Sequence, residues 1–200
     1  MNSKVAGGIV GIALAVVAGW LVWHAITPSA VRPPAAEFQK KWDVTTPGKG
    51  RISGALALGA DGTIYAASED GFLYALDAAG NLQWEFFAGP MQAAPAVGTD
   101  GTIYVTNSAE QIFAINHNGT QQWTAGGGPF ADKDMGHIAA ALDENYLYTP
   151  WRGGLRALRL TTGRSDWDAG YGFKRSGAVS VLTNGVIVFT EVGRLEGVFN

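Results

Sequence analysis

The chain has 200 residues, 47% of them hydrophobic and 16% charged, with a formal net charge of −3 and 28 glycines. That balance gives no basis for nucleic-acid binding, which needs a clustered basic face. The absence of cysteine excludes disulfides, thiol catalysis, thiolate metal sites and a lipid-bearing cysteine, and leaves the compartment open.

Residues 1–4 are a short N-terminus carrying Lys4, and residues 5–26 contain no Asp, Glu, Lys or Arg. About 20 apolar residues suffice to cross the hydrocarbon core of a bilayer, so 5–26 reads as a transmembrane helix. Lys4 before it, with Trp20 and Trp23 near its far end, matches a positive-inside orientation and an interfacial aromatic belt. A cleaved signal usually has an apolar region of only about 7–15 residues and an A-x-A-like site. Here the cut after Ala30 would place Pro28 at the −3 position, a poor fit. The expectation is an uncleaved single-pass anchor with the remainder outside the cytoplasm, in the periplasm or at the cell exterior. Secretion after signal cleavage is the alternative. Residues 27–37, rich in Pro and Ala, cannot easily continue a helix and read as a linker. The globular part then spans 38–200.

Past the linker, one unit recurs roughly every 40 residues and ends on a tryptophan each time, at Trp42, Trp84, Trp123 and Trp167. A period in this range marks a repeat architecture. Asp61-Gly-Thr-Ile-Tyr65 returns as Asp100-Gly-Thr-Ile-Tyr104, and Asn81-Leu-Gln-Trp84 corresponds to Thr120-Gln-Gln-Trp123. Within one unit, Ala93–Val97 reads as strand A, Thr102–Thr106 as B, Gln111–Ile115 as C and Thr120–Trp123 as D. Asp100-Gly101 and Asn118-Gly119 stand between them as hairpin signals, because primed turns need positive φ. Four antiparallel strands per unit make one blade, so the expected fold is an all-β propeller of about four four-stranded blades. Trp42 closes a strand D with no A–C before it, while the last unit has A–C and no tryptophan. Residues 38–46 could supply that missing strand and close a ring of four. The chain could instead be part of a larger propeller, or two copies could complete a ring. Open edges would favour self-association.

Ala157-Leu-Arg-Leu-Thr-Thr-Gly-Arg-Ser-Asp-Trp167 resembles the signature of the quinoprotein-like (PQQ-like) repeat propellers, with Arg159 where the family has Asp. Ala75-Leu-Asp-Ala-Ala-Gly-Asn-Leu-Gln-Trp84 and Ala114-Ile-Asn-His-Asn-Gly-Thr-Gln-Gln-Trp123 follow it with the Thr deleted. The resemblance covers 38–200 and implies that Trp42, Trp84, Trp123 and Trp167 dock one blade on the next. It implies for Asp77 a blade-to-blade hydrogen bond. Within the family the chain is more similar to the propeller subunit of outer-membrane barrel assembly than to the dehydrogenases. That subunit is a lipoprotein, and this chain lacks the required cysteine. The dehydrogenases hold PQQ with calcium ligands and often a disulfide of adjacent cysteines, none of which is recognisable here.

Loop composition separates the two ends of the propeller. The A–B and C–D turns are short and plain. The D–A and B–C connections carry Phe86, Phe130, Trp151, Arg152, Tyr171, Phe173, Lys174 and Arg175. Aromatic and Arg side chains on loops over a rigid scaffold are the composition of binding surfaces, so this end is the expected partner face. Asp132, Asp134 and His137 are weak candidates for a metal site, since acidic residues in a Gly-rich loop usually cap turns. No catalytic residue stands out and no cofactor is expected. The functional expectation is an extracytoplasmic binding or scaffolding module, anchored to the membrane by 5–26, that takes an envelope protein or other ligand. A PQQ-dependent dehydrogenase, or a fragment of one, with calcium is the alternative.

Overall fold

The computed structural model describes residues 40–126, 140–151, 154–170, 176–182, 185–191 and 194–199. The proposed anchor and linker lie outside them. Four antiparallel sheets follow one another along the chain. Blade 1 is β1 (Ala57–Leu58), β2 (Ile64–Ala67), β3 (Phe72–Leu76) and β4 (Leu82–Phe87). Blade 2 is β5 (Ala96–Val97), β6 (Ile103–Thr106), β7 (Gln111–Ile115) and β8 (Gln121–Gly126). Blade 3 is β9 (Ala141–Leu142), β10 (Tyr146–Trp151), β11 (Gly154–Arg159) and β12 (Ser165–Gly170). Blade 4 has three described strands, β13 (Ser176–Val181), β14 (Val186–Glu191) and β15 (Arg194–Phe199). Strand order in every sheet follows the sequence, as in a propeller blade. Among the described residues no helix is long and apolar enough to cross a membrane.

The hairpins differ in detail from the primed turns expected. Gly59 N donates to Thr63 O at 2.8 Å and Gly62 N to Gly59 O at 3.0 Å, and only Gly62 has positive φ, at 85°. This is a three-residue loop, a turn with the glycine as its bulge residue. Asp61 Oδ1 accepts the Thr63 amide at 3.0 Å and caps the loop. Asp100 does the same for Thr102, also at 3.0 Å. The Asp-Gly pair thus works as cap plus bulge, not as two left-handed residues.

Alternation along each strand divides a blade into an upstream and a downstream face. The downstream face of blade 1 (Tyr65, Ala67, Leu73, Ala75) packs on the upstream face of blade 2 (Ile103, Val105, Ile115). Blade 2 repeats this with Tyr104, Ile112 and Ala114 against Leu147 and Leu158 of blade 3. Blade 3 does so with Tyr148, Leu155 and Ala157 against Val179 and Ile187 of blade 4. Small residues make room for the large ones. Ala75, Ala114 and Ala157, each fully buried, pair directly across strands with Trp84, Trp123 and Trp167. The register shifts immediately after each of these alanines. A larger residue there would lift the indole off the sheet, which is why an alanine stands in the repeat.

Candidate binding surfaces

Trp42, Trp84 and Trp123 are structural joints between blades. Trp84 Nε1 donates to His117 O at 2.8 Å, and its ring lies against Gly119, both in the C–D turn of the next blade. Trp123 does the same with Leu160 O at 2.7 Å and Gly163 in blade 3. Trp42 does so with Ala78 O at 3.1 Å and Gly80 in blade 1. Each strand-D indole also tilts onto the strand-B tyrosine of its own blade, with centroids 5.8 Å apart for Tyr65–Trp84, 5.7 Å for Tyr104–Trp123 and 6.1 Å for Tyr148–Trp167. Trp42 differs in one respect. It is seated on blade 1, yet residues 40–46 form no strand.

Asp77 departs from its expected role. Its carboxylate accepts the Ala79 amide at 2.8 Å, the Asn81 amide at 2.9 Å and the Asn81 side-chain amide at 2.9 Å, all within its own turn. The Asn81 side chain first, then the backbone amides, hold it below the usual carboxylate range. The contact between blades comes from tryptophan and the turn carbonyl.

At the loop-rich end, Phe86 is half-buried in the seam between blades 1 and 2, edge-on to Phe113 at 5.8 Å. Its neighbour Phe87 is 62% exposed and stacks edge-on to Phe72 at 5.2 Å. Alternation explains the pair: successive strand residues point to opposite faces, so only one of them meets the seam. Phe87 was not singled out from sequence. Trp151 ends β10, its backbone opposite Gly154. Phe130, Arg152, Tyr171, Phe173, Lys174 and Arg175 lie outside the described residues, as do Asp132, Asp134 and His137. Among the described residues no group of three His, Asp or Glu side chains converges to hold a metal.

In the B–C turn of blade 1, Asp70 gathers several donors at this end. Its carboxylate accepts the Gly50 amide at 3.2 Å, the Phe72 amide at 3.1 Å and the Tyr74 hydroxyl at 2.9 Å. Partial burial opposes its charge, but these donors outweigh it and hold the group below the usual carboxylate range. Asp70 thus fastens the segment that brings Trp42 and Val44 over blade 1. On blade 3, Arg156 and Asp168 make a two-pronged ion pair with both contacts at 2.7 Å.

Two hollows were not anticipated. An opening of about 700 Å³ lies at the A–B turn end, lined by Gly98 and Thr99 of blade 2, Asp143, Glu144 and Asn145 of blade 3, and Leu182 of blade 4. Asp143 is fully committed there, to the Asn145 and Tyr146 amides at 2.7 Å and the Tyr148 hydroxyl at 2.6 Å. The A–B connection of blade 3 is one residue shorter than those of blades 1 and 2, with Leu142 opposite Leu147 where the others set Leu58 opposite Ile64 and Val97 opposite Ile103. The second hollow, about 190 Å³, is an apolar groove between Trp42, Val44 and the upstream face of blade 1.

A family model described as outer membrane protein assembly factor BamB matches residues 6–189. Among solved structures the fold is similar to BamB from Moraxella catarrhalis, with 21% identity and a TM-score of 0.61, over 74% of this chain and 50% of that one. It is also similar to the computationally designed Ika4 protein, with 14% identity and a TM-score of 0.65, over 81% of this chain and 98% of that one. A streptogramin B lyase matches with 16% identity and a TM-score of 0.60, over 80% of this chain and 58% of that one. At such identities these structures share the fold alone, and the chain spans 50% of the length of the Moraxella catarrhalis protein. No curated protein matches in sequence. With Trp-docked four-stranded blades and a family match running from residue 6 to 189, the chain belongs to the PQQ_2 family, described as outer membrane protein assembly factor BamB.

Proposed function

We propose that the protein is a membrane-tethered, extracytoplasmic propeller that binds a protein of the cell envelope through its loop-rich end and acts there as a scaffold. The observation that carries this reading is the family match to an assembly factor over nearly the whole chain. The exposed ring of Phe87 and the aromatic and basic residues of the neighbouring connections support the choice of end, because aromatic and Arg anchors dominate protein interfaces. Residues 5–26 supply the tether in this reading, and no cofactor is required.

Photo-crosslinking side chains placed at Phe87 and Trp151, in cells, test the proposal. Covalent adducts with an envelope protein are expected from both positions and not from Thr99 at the opposite end. Adducts from Thr99 alone, or no protein adduct from any of the three, would overturn it.

A further inference from the structure

The C–D turn of blade 2 seats Trp84, and it differs from its counterparts at the residue before the seating glycine. Blade 1 has Ala79 before Gly80 and blade 3 has Thr162 before Gly163, whereas blade 2 has Asn118 before Gly119. Asn118 is exposed. An Asn-Gly pair is chemically labile, because a glycine nitrogen has no neighbouring Cβ to shield it and can approach the Asn carboxamide closely.

The turn holds that carboxamide in a reactive setting. Asn118 Oδ1 accepts the Thr120 amide at 3.2 Å and the Thr120 hydroxyl at 2.7 Å. Such an Asx turn folds the side chain back over its own peptide bond, here the bond to Gly119. The hydroxyl is itself oriented. It accepts from Asn116 Nδ2 at 2.8 Å, and Asn116 Oδ1 accepts from Gln122 Nε2 at 2.8 Å. Chained hydrogen bonds polarise one another. Two donors therefore stand at the oxygen on which negative charge develops when Asn118 Cγ becomes tetrahedral, the arrangement of an oxyanion hole. Against this, Gly119 N donates to Asn116 O at 2.9 Å, and that bond must open first. It is one bond at a turn tip, of the kind that opens locally.

We infer that Asn118 is a site of spontaneous modification, where the turn promotes its own deamidation and so opens the Trp84 joint. The Gly119 nitrogen loses its proton to a solvent base and bonds to Asn118 Cγ. The Cγ–Nδ2 bond breaks, and the nitrogen takes a proton and leaves as ammonia. Water then opens the cyclic imide. Attack at Cγ restores the original main chain and leaves aspartate. Attack at the backbone carbonyl leaves isoaspartate, whose main chain runs through the side-chain carbons and is longer by one atom.

The two products differ at the joint. Asp61 and Asp100 make the same cap, onto the Thr63 and Thr102 amides at 3.0 Å each, so aspartate fits the turn. The extra atom of isoaspartate falls directly before Gly119, which has no slack against Trp84, since a Cβ there would meet the indole at 2.9 Å. His117 O, the acceptor of Trp84 Nε1, lies in the same turn. The step is independent of what the loop-rich end binds.

Peptide mapping by mass spectrometry of the full, folded chain, kept in mildly alkaline buffer, tests the inference. Aspartate and isoaspartate are expected at position 118. A folded chain that stays unmodified there overturns it. Thr120→Val removes the hydroxyl donor and is expected to slow the reaction at least about tenfold, less than one preorganised oxyanion donor contributes in an enzyme. Thr120→Ser keeps the hydroxyl and is expected to react like the parent, and in urea all three rates are expected to converge. Equal rates in the folded Val and Ser variants, or a difference that persists in urea, overturn the promoting role of the turn. The isoaspartate fraction is expected to unfold at lower denaturant than the parent, and Asn118→Asp at the parent's midpoint. An isoaspartate fraction as stable as the parent overturns the link to the Trp84 joint.

Discussion

Trp84 and Gly119 belong to different blades and fit one another as a single joint. The indole at the end of blade 1 lies so close to the turn of blade 2 that a Cβ on Gly119 would fall 2.9 Å from its Cδ2 atom. Two carbons approach no nearer than van der Waals contact, about 3.5 Å, without repulsion. The glycine is thus required twice, once for its φ of 84° and once for its missing side chain. Trp42–Gly80 and Trp123–Gly163 repeat the arrangement.

Gly101 separates the two requirements. Its φ is 82°, but a Cβ there would meet nothing within 4 Å. Gly101→Ala is expected to cost about 1–2 kcal/mol, the ordinary penalty of the left-handed region. Gly119→Ala adds the clash with Trp84 and is expected to cost about 1–3 kcal/mol more. Urea unfolding of the two variants provides the comparison. Equal losses would mean that the indole moves aside freely and that the joint does not fix the blades.

The tryptophan side of the joint divides in the same way. Trp84→Phe keeps the contact with Tyr65 but removes the donor to His117 O. A net loss of about 1 kcal/mol is expected from one hydrogen bond. Trp84→Ala removes the ring as well and is expected to cost about 3 kcal/mol, the low end for a large aromatic because the ring is half-exposed. Denaturant midpoints check both. If Phe were as damaging as Ala, the hydrogen bond and not the packing would hold the seam.

These joints were legible from sequence because they recur: a period near 40 residues, an alanine opposite each indole and a glycine in each C–D turn are periodic features. What lay outside the period was less legible. Asp77 has a repeat position but a local task, since an Asp followed by Ala-Ala-Gly-Asn can satisfy its carboxylate within the turn. Sequence does not show which set of donors wins. Phe86 and Phe87 are adjacent and chemically alike, and only the strand register sends Phe86 into the seam and leaves Phe87 outside. The groove beneath Trp42 depends on a segment that docks without pairing, and no residue pattern announces that.

Asp70 is expected to act as an acid-sensitive fastener. Its carboxylate is held below the ordinary value of 3.8, so the folded state favours the charged form. A depressed value stabilises the fold above the unfolded value, and that contribution is lost as pH falls through the folded one. The window thus opens near pH 3.8 and completes below it. There the Gly50 amide should lose protection from hydrogen exchange while the amides of β6 and β7 keep theirs. Asp70→Ala should speed Gly50 exchange about tenfold at neutral pH, the equivalent of roughly one hydrogen bond to a partly exposed carboxylate. Simultaneous loss of protection in β6 and β7 would show that Asp70 supports the whole propeller and not the segment over blade 1.

Binding and quinone chemistry make opposite predictions for the two ends of the molecule. If Trp151 and Tyr171 belong to a protein-binding surface, Trp151→Ala with Tyr171→Ala should abolish partner capture while a cooperative melting transition and the β-type circular dichroism spectrum are kept, as changes confined to a surface usually cost under about 0.5 kcal/mol. Thr99→Glu, at the A–B turn opening, should leave capture intact. PQQ with calcium should not shift the melting temperature, because tight ligand binding to the folded state raises stability by mass action and a protein without the site gains nothing. A dye-linked dehydrogenase activity restored by PQQ and calcium, together with a raised melting temperature, would replace the binding reading. The two assays fail independently: lost capture tests the loop-rich end, and the thermal shift tests the cofactor.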